Sequence, residues 1–484
     1  MDSLKIKKFL TQTNMVYFFT LFVIFIIGVY LRCLAYSYNI AFEDDECRLL
    51  IQTFFSVNYA QSAPPLYLAL LKVINAFFGF NEKMLKLPSL IFSLGSMFMF
   101  YKISTQIFEK KYSIILANFL FAINMFILYF ATVIKQYSCD VFVGLLCIFL
   151  LPNIDITKPN RTTLLLLTFF IIILPFISLP SVFFIGSFFV INFIQNYKNK
   201  IFYKNLFLIL IPFLILMVLY YIFNLLPEKI SMDTAFPHYW DETFIGLGKS
   251  NFVTVLATYI KVIFRPNSFI LFNFILMLLG IYYLCKEHRT ILKYILYVFV
   301  LAILASLLRI YPFAERVALY CAPIMIFLCI IPLDKVKLKS VSGIMVILMI
   351  LLGFGGYNLN YTNLVTDKSI YTKSYPQKLM MKLQEKYNPQ TDEIIINNAS
   401  KASFIFYSTL YNFNAKNITE IPFATIQEYL NSLPKGKKYW FYLVKDYKKQ
   451  PIYDIILTWA HDSQKILYIE HELQGFLILV EVIN

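Results

Sequence analysis

The chain has 484 residues, of which 59% are hydrophobic and 15% are charged, and its mean hydropathy is +0.66. About a quarter of the residues of an ordinary soluble domain are charged, so this composition excludes a soluble globular protein. The formal net charge of +15 does not indicate a nucleic-acid partner, because the basic residues fall in short loops between apolar runs.

Apolar runs recur from Met15 to about Tyr361, and each is long enough to cross about 30 Å of hydrocarbon as a helix. The first run is too long and too aromatic for a signal peptide, and we expect it to be retained. The sequence predicts an α-helical polytopic membrane protein with about eleven transmembrane helices. The predicted ranges are 15–36, 87–107, 114–131, 138–151, 162–178, 181–196, 205–226, 268–285, 290–308, 316–333 and 341–360.

The basic residues predict the orientation of these helices. Alternate short loops are basic, and by the positive-inside rule they face the cytoplasm. They carry Lys5, Lys7 and Lys8; Lys110 and Lys111; Lys158 and Arg161; Lys198, Lys200 and Lys204; Lys286, Arg289 and Lys293; and Lys335, Lys337 and Lys339. The remaining loops, near residues 37–86, 132–140, 227–267 and 309–316, are predicted to lie outside the cytoplasm.

Four acidic residues, Glu43 to Glu46, follow the first apolar run. Placing one charged carboxylate in a membrane helix costs about 2.5 to 3.5 kcal/mol, so we expect the cluster to face water or a wet cavity at the membrane surface. A carboxylate cluster at that position is a candidate active site. The alternative is a solvated loop or a helix N-cap, for which one or two acids suffice.

The first outer loop, residues 37–86, contains a further apolar stretch, Pro64–Phe80. Counted as a crossing, this stretch would turn the basic loop at residues 110 and 111 outward, against the positive-inside rule. It begins with Pro64 and Pro65, and proline suits the start of a helix. We therefore predict a juxtamembrane helix in this loop.

Residues 362–484 return to ordinary globular composition. We predict two domains, a membrane domain over residues 1–361 and a small extracytoplasmic α/β domain over residues 362–484. Hydrophobic patterning predicts its elements. The strands are expected near 393–397, 438–444, 466–470 and 475–482, and the helices near 400–411, 424–432 and 450–460. The domain has no catalytic motif, so we expect it to bind the acceptor or to stabilise the outer loops.

Five short motifs follow one another along the membrane part. They are Phe42 to Glu46, Gln61-Ser62-Ala63-Pro64-Pro65-Leu66-Tyr67, Lys86-Leu87-Pro88-Ser89, Tyr129 to Asp140, and Tyr311-Pro312-Phe313 with Arg316. No single motif is specific. In order and spacing together they resemble the GT-C superfamily of membrane glycosyltransferases, in the branch of bacterial protein mannosyltransferase-like and aminoarabinose-transferase-like enzymes. The resemblance covers the membrane domain and implies a GT-C-like fold.

The resemblance also implies an activity, that of a glycosyltransferase (EC 2.4 class). Such an enzyme moves a sugar from a polyprenyl-phosphate donor to a glycan, lipid or protein acceptor on the outer face of the plasma membrane, the inner membrane of a bacterium, usually with inversion. The implied partners are donor, acceptor and lipid bilayer, and no nucleic acid. Aminoarabinose-transferase-like relatives have a lysine before the Pro-Pro pair, where this chain has Ala63, so the donor sugar is not inferred from that branch.

Particular residues match the positions that do this work in the family. Asp45 occupies the catalytic aspartate position, where it would take the acceptor proton as general base, with Asp44 the next candidate and Glu46 beside them. Asp140 matches a second acidic position that would orient the acceptor or the first-loop acids; a buried ion pair with Lys135 is the alternative. The substrate-binding candidates are Asp140, Lys86, Lys135, Arg316, Arg309, Tyr311, Gln61, Pro64 and Pro65.

A leaving polyprenyl phosphate needs cations near the outer leaflet. The candidate cations are Lys86, Lys135, Arg309 and Arg316. Arg316 is expected at the outer end of a helix, and its planar guanidinium suits phosphate oxygens best. Snorkelling at the interface is the alternative role for this arginine.

The sequence leaves metal dependence open: no cofactor is certain, and Asp45 and Asp140 offer oxygen ligands that Mg²⁺ or Mn²⁺ would accept. The seven cysteines and four histidines lack the spacing of a metal site or a disulfide framework. The rival function is a polytopic transporter or flippase of lipid-linked sugars. Such proteins usually contain inverted repeats and helices interrupted at matching positions, which we do not find in this sequence.

Overall fold

A computed structural model of the chain describes residues 3–38, 42, 44–55, 63–157, 159–235, 241–245, 270–286, 289–313, 316–335, 376–421, 426–444, 452–472 and 475–483. The described residues are mostly helical, with one small sheet near the C-terminus. They belong to two compact units. The first unit comprises Met1–Tyr36, Ser62–Leu71 and Lys86–Leu359, and the second comprises Ser37–Gln61, Lys72–Leu85 and Asn360–Asn484.

The helices before residue 336 follow the apolar runs of the sequence. They are α1 Ser3–Tyr38, α2 Asp44–Phe54, α3 Pro65–Phe78, α4 Glu82–Ile107, α5 Lys111–Ile123, α6 Met125–Phe130, α7 Tyr137–Leu150, α8 Arg161–Ile177, α9 Ser181–Asn196, α10 Lys200–Tyr220, α11 Leu226–Ala235, α12 Ile270–Lys286, α13 Thr290–Leu307 and α14 Ala322–Lys335. Each predicted crossing up to 316–333 overlaps one of them, and 341–360 lies outside the described residues.

Two predicted crossings differ in detail from these helices. The run 114–131 is divided, because the side chain of Asn124 accepts the N–H groups of Phe126 and Ile127 and so caps α6 just after α5 ends. The run 316–333 is shortened, because α14 begins only at Ala322.

Four described helical segments are long and apolar enough to cross a membrane. They are Asn14–Ser37, Glu82–Ile107, Lys200–Ser231 and Thr290–Leu307. The other apolar helices are shorter, so the predicted number of eleven crossings is not confirmed.

The long helices expose apolar side chains. Phe18, Phe19 and Phe22 on α1 are between 59% and 66% exposed, and α10 presents a similar apolar surface. In water such faces would be costly, whereas lipid tails are as apolar as the side chains themselves. The chain is a multi-helical membrane protein.

Ring stacking joins three helices in the core of the first unit. Phe100 of α4 stacks on Phe121 of α5 at 4.3 Å and on Phe327 of α14 at 4.4 Å between ring centroids. Asp334, near the end of α14, accepts the backbone N–H groups of Glu109 and Lys110. These donors precede α5, so the carboxylate satisfies N–H groups that a helix start leaves open.

A fully buried arginine on α1 holds the neighbouring helices. Arg32 donates from Nε to Ser93 Oγ at 2.8 Å, and from Nη1 to the carbonyls of Gly28 at 3.0 Å and Ala122 at 3.1 Å. Local sequence does not mark this residue, because one charge within an apolar run is equally typical of snorkelling.

The C-terminal part of the second unit is a five-stranded sheet with helices. Its elements are α15 Pro376–Lys386, β1 Asp392–Ile396, α16 Asn398–Leu410, β2 Ile418–Glu420, α17 Ile426–Asn431, β3 Lys438–Val444, α18 Ile452–Ser463, β4 Lys465–Glu472 and β5 Gly475–Glu481. The strand order is β2-β1-β3-β5-β4. β1 pairs in parallel with β2 and β3, while β5 is antiparallel to β3 and β4.

The predicted strands and helices of this part are confirmed, and α15 and β2 were missed. β2 has three residues, all of them exposed, so no hydrophobic alternation marks it. The strands β1, β3 and β5 are almost wholly buried. Phe441, Ile456 and Ile478 lie at the centre of the core that this sheet forms with α17 and α18.

Gly280 allows α12 and α14 to pack closely. A Cβ atom at this position would lie 2.0 Å from the backbone oxygen of Leu328, and a backbone atom cannot move aside as a flexible side chain can. At Gly186 the nearest atom to such a Cβ is the side-chain Cδ1 of Leu301, at 3.1 Å.

We therefore expect Gly280→Ala to destabilise the protein by about 1 to 3 kcal/mol or more through overpacking. Gly186→Ala, the matched control, should cost much less because a leucine side chain can shift. Thermal unfolding of the detergent-solubilised full chain measures both. Equal melting temperatures for the two variants would contradict the close approach of α12 and α14.

Candidate functional site

The acidic cluster begins helix α2 in the second unit. The helix starts at Asp44, so Asp44, Asp45 and Glu46 form its first turn, while Glu43 and the side chain of Asp44 lie outside the described residues. Carboxylates at a helix N-terminus interact favourably with the helix dipole. These acids therefore lie at the start of a helix, as the N-cap alternative predicts.

The two described acids of this turn lie on different faces of α2. Glu46 is 1% exposed, which differs from the expectation that the whole cluster faces water, whereas Asp45 is partly exposed. Successive residues of a helix point about 100° apart, which explains the difference. The buried face continues through Cys47, Leu49, Leu50 and Ile51, and the partly exposed face is Asp45, Arg48 and Gln52.

Hydrogen bonds hold the segment before α2. The backbone N–H of Phe42 donates to the Tyr407 hydroxyl at 2.9 Å, and that hydroxyl donates to Glu82 Oε1 at 2.5 Å. All three residues are buried. Burial, and next the Glu82 carboxylate, raise the pKa of Tyr407 well above its ordinary value. Sequence reasoning missed this group, because nothing local relates residue 407 to residues 42 and 82.

Several polar candidates of the first unit are buried. Lys86 is 0% exposed, Lys135 6% and Asp140 3%. Ser89 Oγ donates to the carbonyl oxygen of Val133 at 2.6 Å. That bond joins the Lys86-Leu87-Pro88-Ser89 motif to the segment that carries Lys135, so two of the five sequence motifs meet.

Asp140 lies in the first turn of α7, next to the turn between α8 and α9. The Cys139 thiol lies 3.9 Å from the Ile177 carbonyl oxygen, and Ser178 and Ser181 in that turn are fully buried. Asp140 Oδ1 and the Ser181 hydroxyl have no hydrogen-bond partner within the part of the chain that the structure describes, and the Ser178 hydroxyl lies close enough to the Asp140 carboxylate to interact with it. Buried polar atoms of this kind mark a place where water or substrate groups are expected to bind.

Tyr311 lies close to this cluster. Its ring packs edge-on against Phe183 of α9 at 5.4 Å, and its hydroxyl donates to the Val317 carbonyl at 3.3 Å. Burial raises the pKa of the Tyr311 phenol well above its ordinary value, and the nearby Asp140 carboxylate raises it further. Arg316, next to Val317, is partly exposed and lies in a turn before α14, and not at a helix end as expected.

Arg309 is a weaker candidate for binding phosphate. It has φ 56° just after α13, where the N–H of Ile310 bonds back to the Ala305 carbonyl and closes the helix. Its guanidinium is 67% exposed and lies 4.0 Å from Asp241 Oδ1. Exposed pairs of this kind contribute little.

The Pro-Pro motif begins α3, as predicted. α3 starts at Pro65, and the carbonyl of buried Pro64 accepts the N–H of Leu68 at 3.1 Å. The predicted site residue Gln61 lies outside the described residues.

The metal ligands suggested from the sequence are divided between the two units. Asp45 belongs to the second unit and Asp140 to the first. Among the described residues, no group of three His, Cys, Asp or Glu side chains is arranged to hold a metal ion. All seven cysteines are free thiols.

Comparison with solved structures reveals the fold. ArnT from Cupriavidus metallidurans in its apo state superposes with a TM-score of 0.53 at 10% identity, over 97% of this chain and 98% of ArnT. ArnT bound to undecaprenyl phosphate gives a TM-score of 0.50 at 9% identity, with the same coverage. No protein-family model and no curated protein sequence matches this chain.

The likeness to ArnT extends over nearly the whole of both chains. The protein therefore has the same fold as ArnT. The fold implied by the five sequence motifs is confirmed, while the roles of the individual site residues stay predictions.

The buried carboxylate of Asp140 leads to a stability test. We expect Asp140→Asn to leave the melting temperature unchanged or higher, because Oδ1 accepts no hydrogen bond among the described residues and an amide is cheaper to bury. Asp334→Asn is the matched control. Asp334 is also 3% exposed, but each of its oxygens accepts a backbone N–H bond. Asp334→Asn should therefore lower the free energy of unfolding by about 1 to 3 kcal/mol.

Thermal unfolding of both variants measures the difference. A buried ion pair with Lys135 predicts the opposite result for Asp140→Asn, a loss of about 3 to 5 kcal/mol. A large drop in the melting temperature would therefore favour the ion pair over a binding role for Asp140.

Proposed function

We propose that this protein is a glycosyltransferase that moves a sugar from a polyprenyl-phosphate donor to an acceptor on the outer face of the plasma membrane. The observation that carries the proposal is the GT-C fold, present over nearly the whole chain together with the motif residues. Undecaprenyl phosphate is the ligand of one matching ArnT structure. That observation supports a lipid-phosphate carrier as the donor class here.

The proposed general base is Asp45. An acceptor hydroxyl or amine is a weak nucleophile, so a carboxylate has to accept its proton as the new bond to the anomeric carbon forms. Asp45 is partly exposed on α2, whereas Glu46 is 1% exposed. A substrate can reach the first of these carboxylates more easily than the second, which supports Asp45 over Glu46. Asp44 is the second candidate.

The bond between the anomeric carbon and the phosphate oxygen breaks as the acceptor bond forms, and the electron pair leaves with the polyprenyl phosphate. Attack from the face opposite the phosphate inverts the anomeric carbon. Cations stabilise the charge on the departing phosphate. Lys86 and Lys135 are buried and Arg316 is partly buried, so these side chains would act on phosphate with less screening by water than exposed Arg309.

Asp140 and Tyr311 are proposed to bind sugar or acceptor hydroxyls. Asp140 Oδ1 lacks a partner among the described residues, and a carboxylate accepts hydroxyl donors well. The divalent ion suggested at Asp45 and Asp140 stays a prediction from the sequence.

The proposed orientation follows from the positive-inside pattern, with basic loops in the cytoplasm and the α/β domain of residues 362–484 outside. The acidic helix α2 then faces the side where lipid-linked donors are consumed. A bacterial inner membrane is the location that this orientation and the donor class favour.

The decisive experiment measures transfer of radiolabelled sugar from a panel of undecaprenyl-phosphate sugars by the purified protein. We expect Asp45→Asn to lower kcat by about 10² to 10⁴-fold, because an amide cannot accept the proton. Asp454→Asn, a change to an exposed acid on α18, is the matched control and should keep wild-type activity.

Other outcomes separate the alternatives. Equal transfer by wild type and Asp45→Asn would reject Asp45 as the base. If label crossed vesicle membranes with no glycosidic bond formed, the transporter or flippase function would replace the proposed one.

A further inference from the structure

Helix α16 of the C-terminal part packs against both ends of the acidic helix α2. The Phe406 ring lies 5.5 Å from the ring of Phe42, two residues before α2, and 6.2 Å from Phe55, one residue after it. It also lies 5.8 Å from Phe80, shortly before α4. One aromatic side chain therefore packs against the segments that enter and leave α2.

The neighbouring residue Tyr407 adds directional bonds to this packing. A phenol offers one donor and can also accept, and Tyr407 does both, accepting from Phe42 N–H and donating to Glu82. A tyrosine hydroxyl is protonated at neutral pH, and burial raises the pKa of Tyr407 further, so the hydroxyl remains a donor. A phenylalanine would fill the same space and make neither bond.

We infer that Tyr407 is a positioning residue for Asp45, an inference that rests on the proposed function of that carboxylate. Phe42 is three residues before Asp45, so the intervening chain spans at most about 11 Å and has little freedom to absorb a shift. Fixing the Phe42 N–H through Tyr407 and Glu82 fixes where α2 begins. The α/β domain thus sets the position of the candidate base.

This role predicts a particular kinetic defect. Proton transfer requires the base within hydrogen-bond reach of the acceptor, and a displacement of about 1 Å costs on the order of a hundredfold in rate. Donor binding is proposed to use other residues, the cations of the first unit. Loss of the Tyr407 hydroxyl should therefore lower kcat and leave KM for the donor nearly unchanged.

The test compares Tyr407→Phe with Tyr468→Phe in the full-length purified protein. Tyr468 also donates to a glutamate, Glu470 Oε2, at 2.5 Å, so the control removes the same kind of bond from β4. We expect kcat of Tyr407→Phe to fall by at least about tenfold with KM for the donor within about twofold. Tyr468→Phe should keep both constants.

A native thiol reports the position of α2 without any activity. Cys47 lies on α2 in the second unit and is 0% exposed. Its Sγ lies 3.8 Å from the carbonyl oxygen of Phe42. In Tyr407→Phe its rate of labelling by N-ethylmaleimide, followed by peptide mass spectrometry, should rise about tenfold through local opening. Buried Cys321 in the first unit is the internal reference and should not change.

A second pair of variants tests the same hydrogen bond in case Tyr407→Phe does not fold. Glu82→Gln keeps an oxygen that accepts the Tyr407 bond, whereas Glu82→Leu does not. Glu82→Gln should therefore retain more of kcat than Glu82→Leu, and show slower Cys47 labelling. If both Glu82 variants have the same kcat and labelling rate, the positioning role is wrong.

The outcomes also distinguish this inference from the proposed function. Wild-type transfer that Asp45→Asn abolishes and Tyr407→Phe leaves intact would overturn the inference alone. Absence of transfer by the wild-type protein would overturn the proposed function. Faster Cys47 labelling in Tyr407→Phe but not in Tyr468→Phe would then still establish that the Tyr407 hydroxyl holds α2 in place.

Discussion

Taking charge out of water is the constraint on which this structure depends. A chain with 59% hydrophobic residues folds around apolar helices, and every ionisable group among them must be held by particular partners. Arg32 shows how this is done, with three hydrogen bonds to two other helices and its own backbone. Asp334 does the same for the backbone at the start of α5.

Asp140 contrasts with these satisfied charges. Its burial matches that of Asp334, yet its Oδ1 lacks a hydrogen-bond partner among the described residues, as does the hydroxyl of Ser181 nearby. The fold supplies a backbone N–H group to each oxygen of Asp334, whereas substrate hydroxyls are proposed to bind at Asp140. This difference between the two aspartates supports the proposed binding role of Asp140.

The acids of α2 combine two alternatives from the sequence, a helix N-terminus and a candidate active site. Its carboxylates lie at a helix N-terminus, where the dipole stabilises them, and one of them still reaches the partly exposed face. Helical geometry directs Asp45 and Glu46 to different faces of α2, and packing buries only the face that carries Glu46. The segment before the helix depends on Tyr407, so a residue of the α/β part belongs to the support of the candidate site.

The sequence by itself determined the membrane class, most helix bounds, the start of α3 at Pro65 and the main strands of the C-terminal sheet. These features follow from local patterns, since apolar length and alternation report burial directly. It also suggested the GT-C fold from five motifs in order. The helix cap at Asn124 and the strand β2 were not predicted, because a single cap and a short exposed strand leave little periodic signal.

Tertiary structure alone decided which charges are buried and which residues meet. The pairing of Phe42 with Tyr407 joins positions 365 residues apart, and the approach of Ser89 to Val133 joins two motifs. Hydrophobic periodicity carries no information on such contacts, because it reports the environment of a residue and not the identity of its partner. Asp45 is partly exposed and Glu46 is buried for the same reason, because other parts of the chain pack against one face of α2.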